Sequence, residues 1–390
     1  MLKYKKMRKG VSLMEELQFK NGKFRIMILT DIHMRAADNS DEDRAKRIDY
    51  YNLHNNAIEK LKPDLAVFLG DNFSADSLSD LQELADELLA PYRNYCVPVA
   101  AVLGNHDLEL KIKEASAHID AFNRYEKSLF CKCEHTSDYN DYYLNIKSSD
   151  GKRDALRLWL FYSGNRAADQ SISRYAYVEP KQIEWYEKTE KLLREQNNNT
   201  TVPAIALQHI PVPEVYRLLK KRSRLSALTD GIGCQLLDGK EYYSVDRKLA
   251  TGHLGEAPGC PDYNSGQFRS WVKTGDIFAA FFGHDHMNDF AGEVDGIGLY
   301  HCKTAGFHSY CDGMRQAVRI IDIDEACPEA IVSRMVSYSE LVGESCLSVT
   351  GLKKKYPDKL TIKRDIATKA LPAAAVMAAA AIIIKKIKKE

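Results

Sequence analysis

The sequence predicts an α/β fold in which buried strands alternate with helices and a second sheet packs on the first. Three observations carry that prediction. Short apolar runs end abruptly in polar residues, helical periodicity lies between several of them, and closely spaced strand-like pieces come after Gly283. At 390 residues the chain is long enough for one large domain or two modest ones. Hydrophobic residues make up 45% and charged residues 28%, which excludes a disordered or fibrous protein.

The apolar runs are FRIMILT (24–30), LAVFLG (65–70), VPVAAVLG (97–104), LRLWLFYS (156–163), AIALQ (204–208) and IFAAFFG (277–283). Their length and the glycines that end several of them fit strands buried on both faces. Between residues 43 and 61, Ile48, Tyr51, Leu53, Ala57, Ile58 and Leu61 recur mostly at three- and four-residue spacing and make one apolar helical face. Residues 81–89 and 182–193 read the same way. The later pieces IGLYHC, QAVRIIDID and EAIVSRMVSY are assigned to the second sheet. Residues 216–275 read as an elaborated loop region over the site, because connections longer than about 15 residues are usually functional or disordered.

The main domain is placed at residues 21–345, after a basic N-terminal extension (1–20) that lacks the apolar stretch of a secretory signal. A tail (346–390) completes the chain, with an uncharged Ala-rich segment at 370–384 and a lysine-rich end. A fifteen-residue helix would rise about 22 Å, short of the roughly 30 Å of a bilayer core. The preferred reading is a frayed tail; the alternative is weak, peripheral membrane association, with the lysines meeting anionic headgroups. Nine scattered cysteines without paired CxxC knuckles suggest ordinary thiols in a reducing, cytoplasmic setting. A formal net charge of +1 gives no global field that would select nucleic acid.

The chemistry lies in the polar residues immediately after each run. Asp31-Ile32-His33, Asp71-Asn72, Asn105-His106-Asp107, His209 and His284-Asp285-His286 stand at five strand ends. Side chains at the C-terminal ends of parallel strands share one crevice. Carboxylates together with imidazoles suit divalent Mn, Fe or Zn. In extended backbone Asp31 and His33 point the same way, as do His284 and His286, because side chains alternate with period two. Taken singly each piece is weak, since Gly-Asp is a common turn pair and a lone histidine is usually a buried, hydrogen-bonded one. Five of them, each ending an apolar run, indicate a shared metal site.

The ordered set DxH, GDN, GNHD, H and GHDH resembles the calcineurin-like metallophosphoesterase superfamily, over about residues 24–322. The stretch NSGQFRSWVKTGDIFAAFFGHDHMNDFAG (264–292), with TAGFHSY and RQAVRIIDI, is similar to its plant and fungal purple-acid-phosphatase-like group. The resemblance implies a β-sandwich of two mixed sheets flanked by helices, a four-layer α/β/β/α arrangement. It also implies that Asp31, His33 and His286 bind a first metal, that Asn105, His209 and His284 bind a second, and that Asp71 bridges both. His106 would assist the leaving oxygen, with Asp107 orienting its ring. Coloured members carry a tyrosine three residues after the bridging aspartate; here Ser74 stands there, so an obligatory ferric ion is not implied.

Two divalent ions roughly 3.5–4 Å apart would offset phosphoryl charge and acidify a bound water. The implied reaction is in-line attack of a metal-bound hydroxide on a phosphate ester, monoesters favoured, in a small molecule or a phosphoprotein. A phosphodiesterase acting on cyclic nucleotides or other diesters is the alternative, and a non-catalytic scaffold a third reading. No GxSxG or Walker-type motif offers another mechanism. Asn72 and Arg166 are candidates for substrate contact. His253, His308 and Arg315 are further loop candidates, and Asp285 is expected to orient a histidine or cap its turn.

Overall fold

The computed structural model describes residues 16–109, 111–133, 135–350 and 361–362. The Ala-rich segment 370–384 and the lysine-rich end lie outside the described residues. All six apolar runs form strands, and they divide three and three between two sheets.

In the first sheet Lys23–Leu29, Leu65–Leu69 and Val99–Val102 run parallel. Ala317–Asp324 pairs antiparallel with the first of these and Val332–Ser337 closes that edge. The second sheet has seven strands, with Asp154–Phe161, Ala204–Gln208, Ile277–Phe282 and Ile297–His301 parallel at its centre. Tyr142–Lys147 forms one edge; Ala291–Val294 and the two-residue Ala250–Thr251 form the other. The assignment of all the late pieces to the second sheet is therefore corrected. Residues 297–301 join it, whereas 317–324 and 332–337 return to the first. Burial on both faces marks a strand as central without saying which sheet it enters.

Side-chain alternation stacks the layers. Leu156, Leu158 and Leu160 face the core shared with the first sheet, while Trp159 and Phe161 face a second core on the opposite side. Tyr50, Leu53 and Ile58 of α1 (Asp41–Leu61) and Leu81, Leu84 and Leu88 of α2 (Leu78–Asn94) join the first core. A short α3 (Ala115–Phe122) comes next, burying Phe122 there. Tyr186 and Leu193 of α4 (Pro180–Gln196) and Phe268 and Trp271 of α5 (Gln267–Thr274) fill the second core. The result is the four-layer α/β/β/α arrangement.

The helices begin where local chemistry starts them. Ser40 Oγ caps α1 by accepting from the Asp43 amide, three acids occupy the first turn, and Lys62 in left-handed backbone closes the helix before Pro63. Ser77 caps α2 in the same way, and α4 starts with Pro180 behind a Glu179/Gln182 capping box.

Residues 216–275 carry more order than a loop. Ile232–Leu236, Gly239–Val245 and Leu219–Arg222 make a small antiparallel sheet before the chain returns to α5. Leu17 and Phe19 are buried, and the chain beside them exchanges backbone bonds with Lys147 at the second sheet's edge. None of the nine cysteines forms a disulfide. No helix among the described residues is long and apolar enough to cross a membrane.

Candidate metal centre

Both sheets point the C-terminal ends of their parallel strands at one cleft. The first sheet delivers Asp31, His33, Asp71 and Asn105, and the second delivers His209, His284 and His286. Their side chains fall into two groups with ligand atoms within 4.8 Å of one another: Asp31, His33 and His286, and Asp71, His209 and His284. Asn105 Oδ1 lies 3.1 Å from His209 Nε2 and so joins the second group. Asp71 Oδ2 lies 3.2 Å from His209 Nε2 and 3.6 Å from His33 Nε2, between the two groups.

Strand pleat does not produce this convergence, contrary to the period-two expectation. Asp31, His33, Asp71 and His284 all have positive φ, at 55°, 50°, 53° and 71°. Such backbone costs of order 1–3 kcal/mol per residue and persists only where its surroundings over-determine it. Here two loops are zipped together, Asp31 N donating to Gly70 O, His33 N to Asp71 O and Met34 N to Asn72 O. Gly70 (φ 89°) packs against Gly104 so closely that a Cβ on it would stand 2.5 Å from the Gly104 nitrogen. A Cβ on Gly104 would stand 2.2 Å from Asp71 Oδ1.

The donor set fits divalent cations. Asp31 Oδ1 is buried without a hydrogen-bond partner, although His286 Nε2 is 3.3 Å away. The Nε2 atoms of His33 and His286 face each other at 3.2 Å. Ring orientation is fixed from behind: His209 Nδ1 lies 2.6 Å from Leu69 O, and His286 Nδ1 lies 2.7 Å from Tyr310 O. With those nitrogens donating to carbonyls, each Nε2 is aimed into the site, where a metal would displace its proton. Thr30 Oγ1 and the His284 amide hold Asp31 Oδ2, and the His106 amide holds Asp71 Oδ1.

Charge tells the same story. Burial alone would raise Asp31, but the imidazoles of His286 and His209 hold it at about 2. Burial opposes ionisation of Asp71 too, and His209 outweighs it, keeping that carboxyl far below its ordinary value. Burial would lower His209 and His286, yet Asp71 pushes the first up to about 10 and Asp31 pushes the second up to about 9. Burial dominates for His33 and His284, which fall to about 4. A site that draws protons onto two buried imidazoles is one whose carboxylates demand positive charge.

Two expected roles change. Asp107 does not orient His106. Its carboxylate accepts the backbone N–H groups of Asp71, Asn72, Phe73 and Gly104 at 2.8–3.1 Å and so ties two of the ligand loops together. His106 Nδ1 instead meets Glu109 Oε2 at 2.5 Å. Asn72 is fully buried, and its amide donates to Val102 O and Asp107 rather than facing the cleft. Asp107→Ala should lower stability by about 3 kcal/mol or more, because several buried N–H groups lose their acceptor at 1–3 kcal/mol each. Denaturant unfolding of the metal-free protein measures this; an unchanged midpoint with turnover lost would return Asp107 to a catalytic role.

The cleft has room for about 170 Å³ and is lined by His106, Glu109, Arg166, Tyr175, Glu256 and Tyr310 around the two groups. Arg166 lines the cleft with its side chain at the rim. His253, His308 and Arg315 are not among the lining side chains; His308 is buried against Asp43. Asp285 lies 3.1 Å from His301 Nδ1 and accepts from the Gly259 amide. Tyr310 stacks on His286 with ring centroids 4.0 Å apart, and Tyr175 meets His284 edge-on at 4.6 Å. Burial, with Asp285 nearby, pushes Glu256 up to about 7.

A family model for calcineurin-like phosphoesterases matches residues 24–288. Two Arabidopsis thaliana proteins, named probable inactive purple acid phosphatase 14 and probable inactive purple acid phosphatase 29, are each 27% identical over 335 and 328 residues. The alignments cover 77% and 78% of this chain and 75% and 77% of those proteins. A dimetal phosphatase from Danio rerio aligns in structure with a TM-score of 0.45 and 12% identity, over 81% of this chain and 99% of that one. With its family model spanning all five motifs, from the strand before Asp31 past His286, the chain belongs to the calcineurin-like phosphoesterase family.

Proposed function

We propose that the chain is an active dimetal phosphoesterase that hydrolyses phosphate esters and prefers monoesters. One observation carries this reading: seven donors from two sheets converge as two adjacent groups sharing Asp71, with His106 at the same cleft. Asp31, His33 and His286 would hold one ion; Asn105, His209 and His284 the other; Asp71 both. Mn, Fe or Zn suits these donors. When bound, such ions supply Lewis acidity, offsetting phosphoryl charge and easing the deprotonation of water. The protein's part is to orient and to move a proton. His106 stands at the rim with its side chain half exposed, and we assign it the leaving oxygen's proton. Arg166 also lines the rim, and we assign it a phosphoryl oxygen.

The small polar cleft suits a phosphoryl group with a modest ester arm, in a small molecule or a phosphoprotein side chain. The nine scattered cysteines, without paired CxxC spacing, favour a reducing, cytoplasmic setting. The word inactive in the relatives' names favours a second reading, a non-catalytic scaffold, but every implied donor and His106 are present here. The test is to purify without chelator, count metals per chain, and assay a monoester and a diester with Mn²⁺, Fe²⁺ and Zn²⁺. Two metals and faster monoester hydrolysis are expected. Tight metal absent and no hydrolysis under any condition would establish the scaffold; faster diester hydrolysis would reverse the substrate preference.

A further inference from the structure

His106, Glu109 and Arg166 form a chain of contacts along the rim of the cleft. One oxygen of Glu109 lies 2.5 Å from His106 Nδ1, and the other lies 3.4 Å from Arg166 Nε. All three side chains line the cleft. Asp107, next to His106 in sequence, is already occupied by four backbone amides and cannot do this work.

The two contacts differ in kind. The Glu109–His106 contact is short, and the carboxylate is mostly buried, at 23% side-chain exposure. An imidazole nitrogen and a carboxylate oxygen that close are in direct polar contact, and little solvent separates them. The Arg166 contact is long, uses a single nitrogen and joins a guanidinium whose side chain is 65% exposed. Exposed single contacts of that sort are weak. Neither terminal nitrogen of Arg166 has a hydrogen-bond partner among the described residues, so the guanidinium keeps its two-pronged edge free for a phosphoryl group.

We propose that Glu109 is the positioning residue of this site, holding the His106 ring firmly through Nδ1 and Arg166 loosely at the rim. With Nδ1 engaged, Nε2 is the nitrogen left to meet the leaving oxygen. An incoming phosphoryl group competes successfully for Arg166 and leaves the Glu109–His106 contact in place. Binding and proton delivery are thereby aligned by one carboxylate. The inference rests on the phosphoesterase reading and sharpens it, since it assigns His106 an orienter that the sequence placed elsewhere.

The test uses the full chain, with Glu109→Ala, Glu109→Gln and Arg166→Ala beside the parent. In the metal-loaded proteins, Glu109→Ala should lower kcat about tenfold or more on an unactivated alkyl phosphate, a part of the 10²–10⁴ that proton transfer supplies. It should change kcat on p-nitrophenyl phosphate, whose leaving group needs little help, by less than about threefold. Glu109→Gln, which keeps an acceptor oxygen, should recover part of the loss. Arg166→Ala should weaken kcat/KM on both esters to a similar degree, without the dependence on leaving group expected of Glu109→Ala. In the metal-free proteins, the imidazole ¹⁵N spectrum of His106 should show a proton at Nδ1 in the parent and a tautomer mixture in Glu109→Ala. Equal kcat losses on both esters, or an unchanged tautomer, would overturn the proposal. If the parent itself hydrolyses neither ester, the phosphoesterase reading has failed, and the spectrum still decides whether Glu109 holds His106.

Discussion

Asp71→Ala is expected to retain at most one metal per chain and to lose more than about 10³-fold in phosphate release. Removing a single preorganised stabiliser commonly costs 10²–10³, and this carboxylate serves both halves of the centre. Its Oδ2 lies within 3.2 Å of His209 Nε2 and 3.6 Å of His33 Nε2. Without it four imidazoles face Asp31 alone, and like-charge repulsion would oppose a pair of divalent ions. Its other oxygen accepts the His106 amide, so the turn that carries His106 loosens as well. Elemental analysis beside a phosphate-release assay measures both effects. Two tightly held metals in the variant would remove Asp71 from the bridging position.

His106→Ala is expected to part these effects. The side chain stands at the rim, and only its backbone N–H touches Asp71, a bond that alanine preserves. Metal content should therefore match the parent, while turnover of an unactivated monoester falls about 10²–10⁴-fold. A parent-like rate on that ester would end the proton-donor assignment, and lost metals would show that the ring itself supports the centre.

Much of this arrangement is legible in the residues. Each of the six apolar runs became a strand, because short apolar stretches of that length, three of them ended by glycine, have few other ways to bury both faces. The polar residues after five of them reached one cleft, because parallel strands end on the same side. What sequence could not carry is what depends on distant partners. Residues 317–324 pair with 23–29 across nearly the whole domain, and no local pattern announces that register. The left-handed turns at Asp31, His33, Asp71 and His284 are imposed by the neighbouring loop, against the preference of non-glycine residues. Glu256 reaches the cleft from residues 216–275, held by the Met287 amide and the Tyr310 hydroxyl. Glu109 stands three residues after His106 in the same turn, so its spacing alone could have marked it as a partner for that ring.

The layout of the two ligand groups bears on how the protein responds to losing its ions. Each group draws side chains from both sheets: Asp31 and His33 meet His286, and Asp71 and Asn105 meet His209 and His284. A cation in either group would act as a rivet through the open end of the sandwich, where two carboxylates and the imidazoles around them otherwise meet without apolar packing. Ligands that bind only the native state stabilise it by mass action, so the fastening strengthens with free metal concentration. Chelation should then do more than stop chemistry. It would let the two halves breathe at the seam, and local opening there would expose the ligand-bearing loops before the rest of the molecule yields.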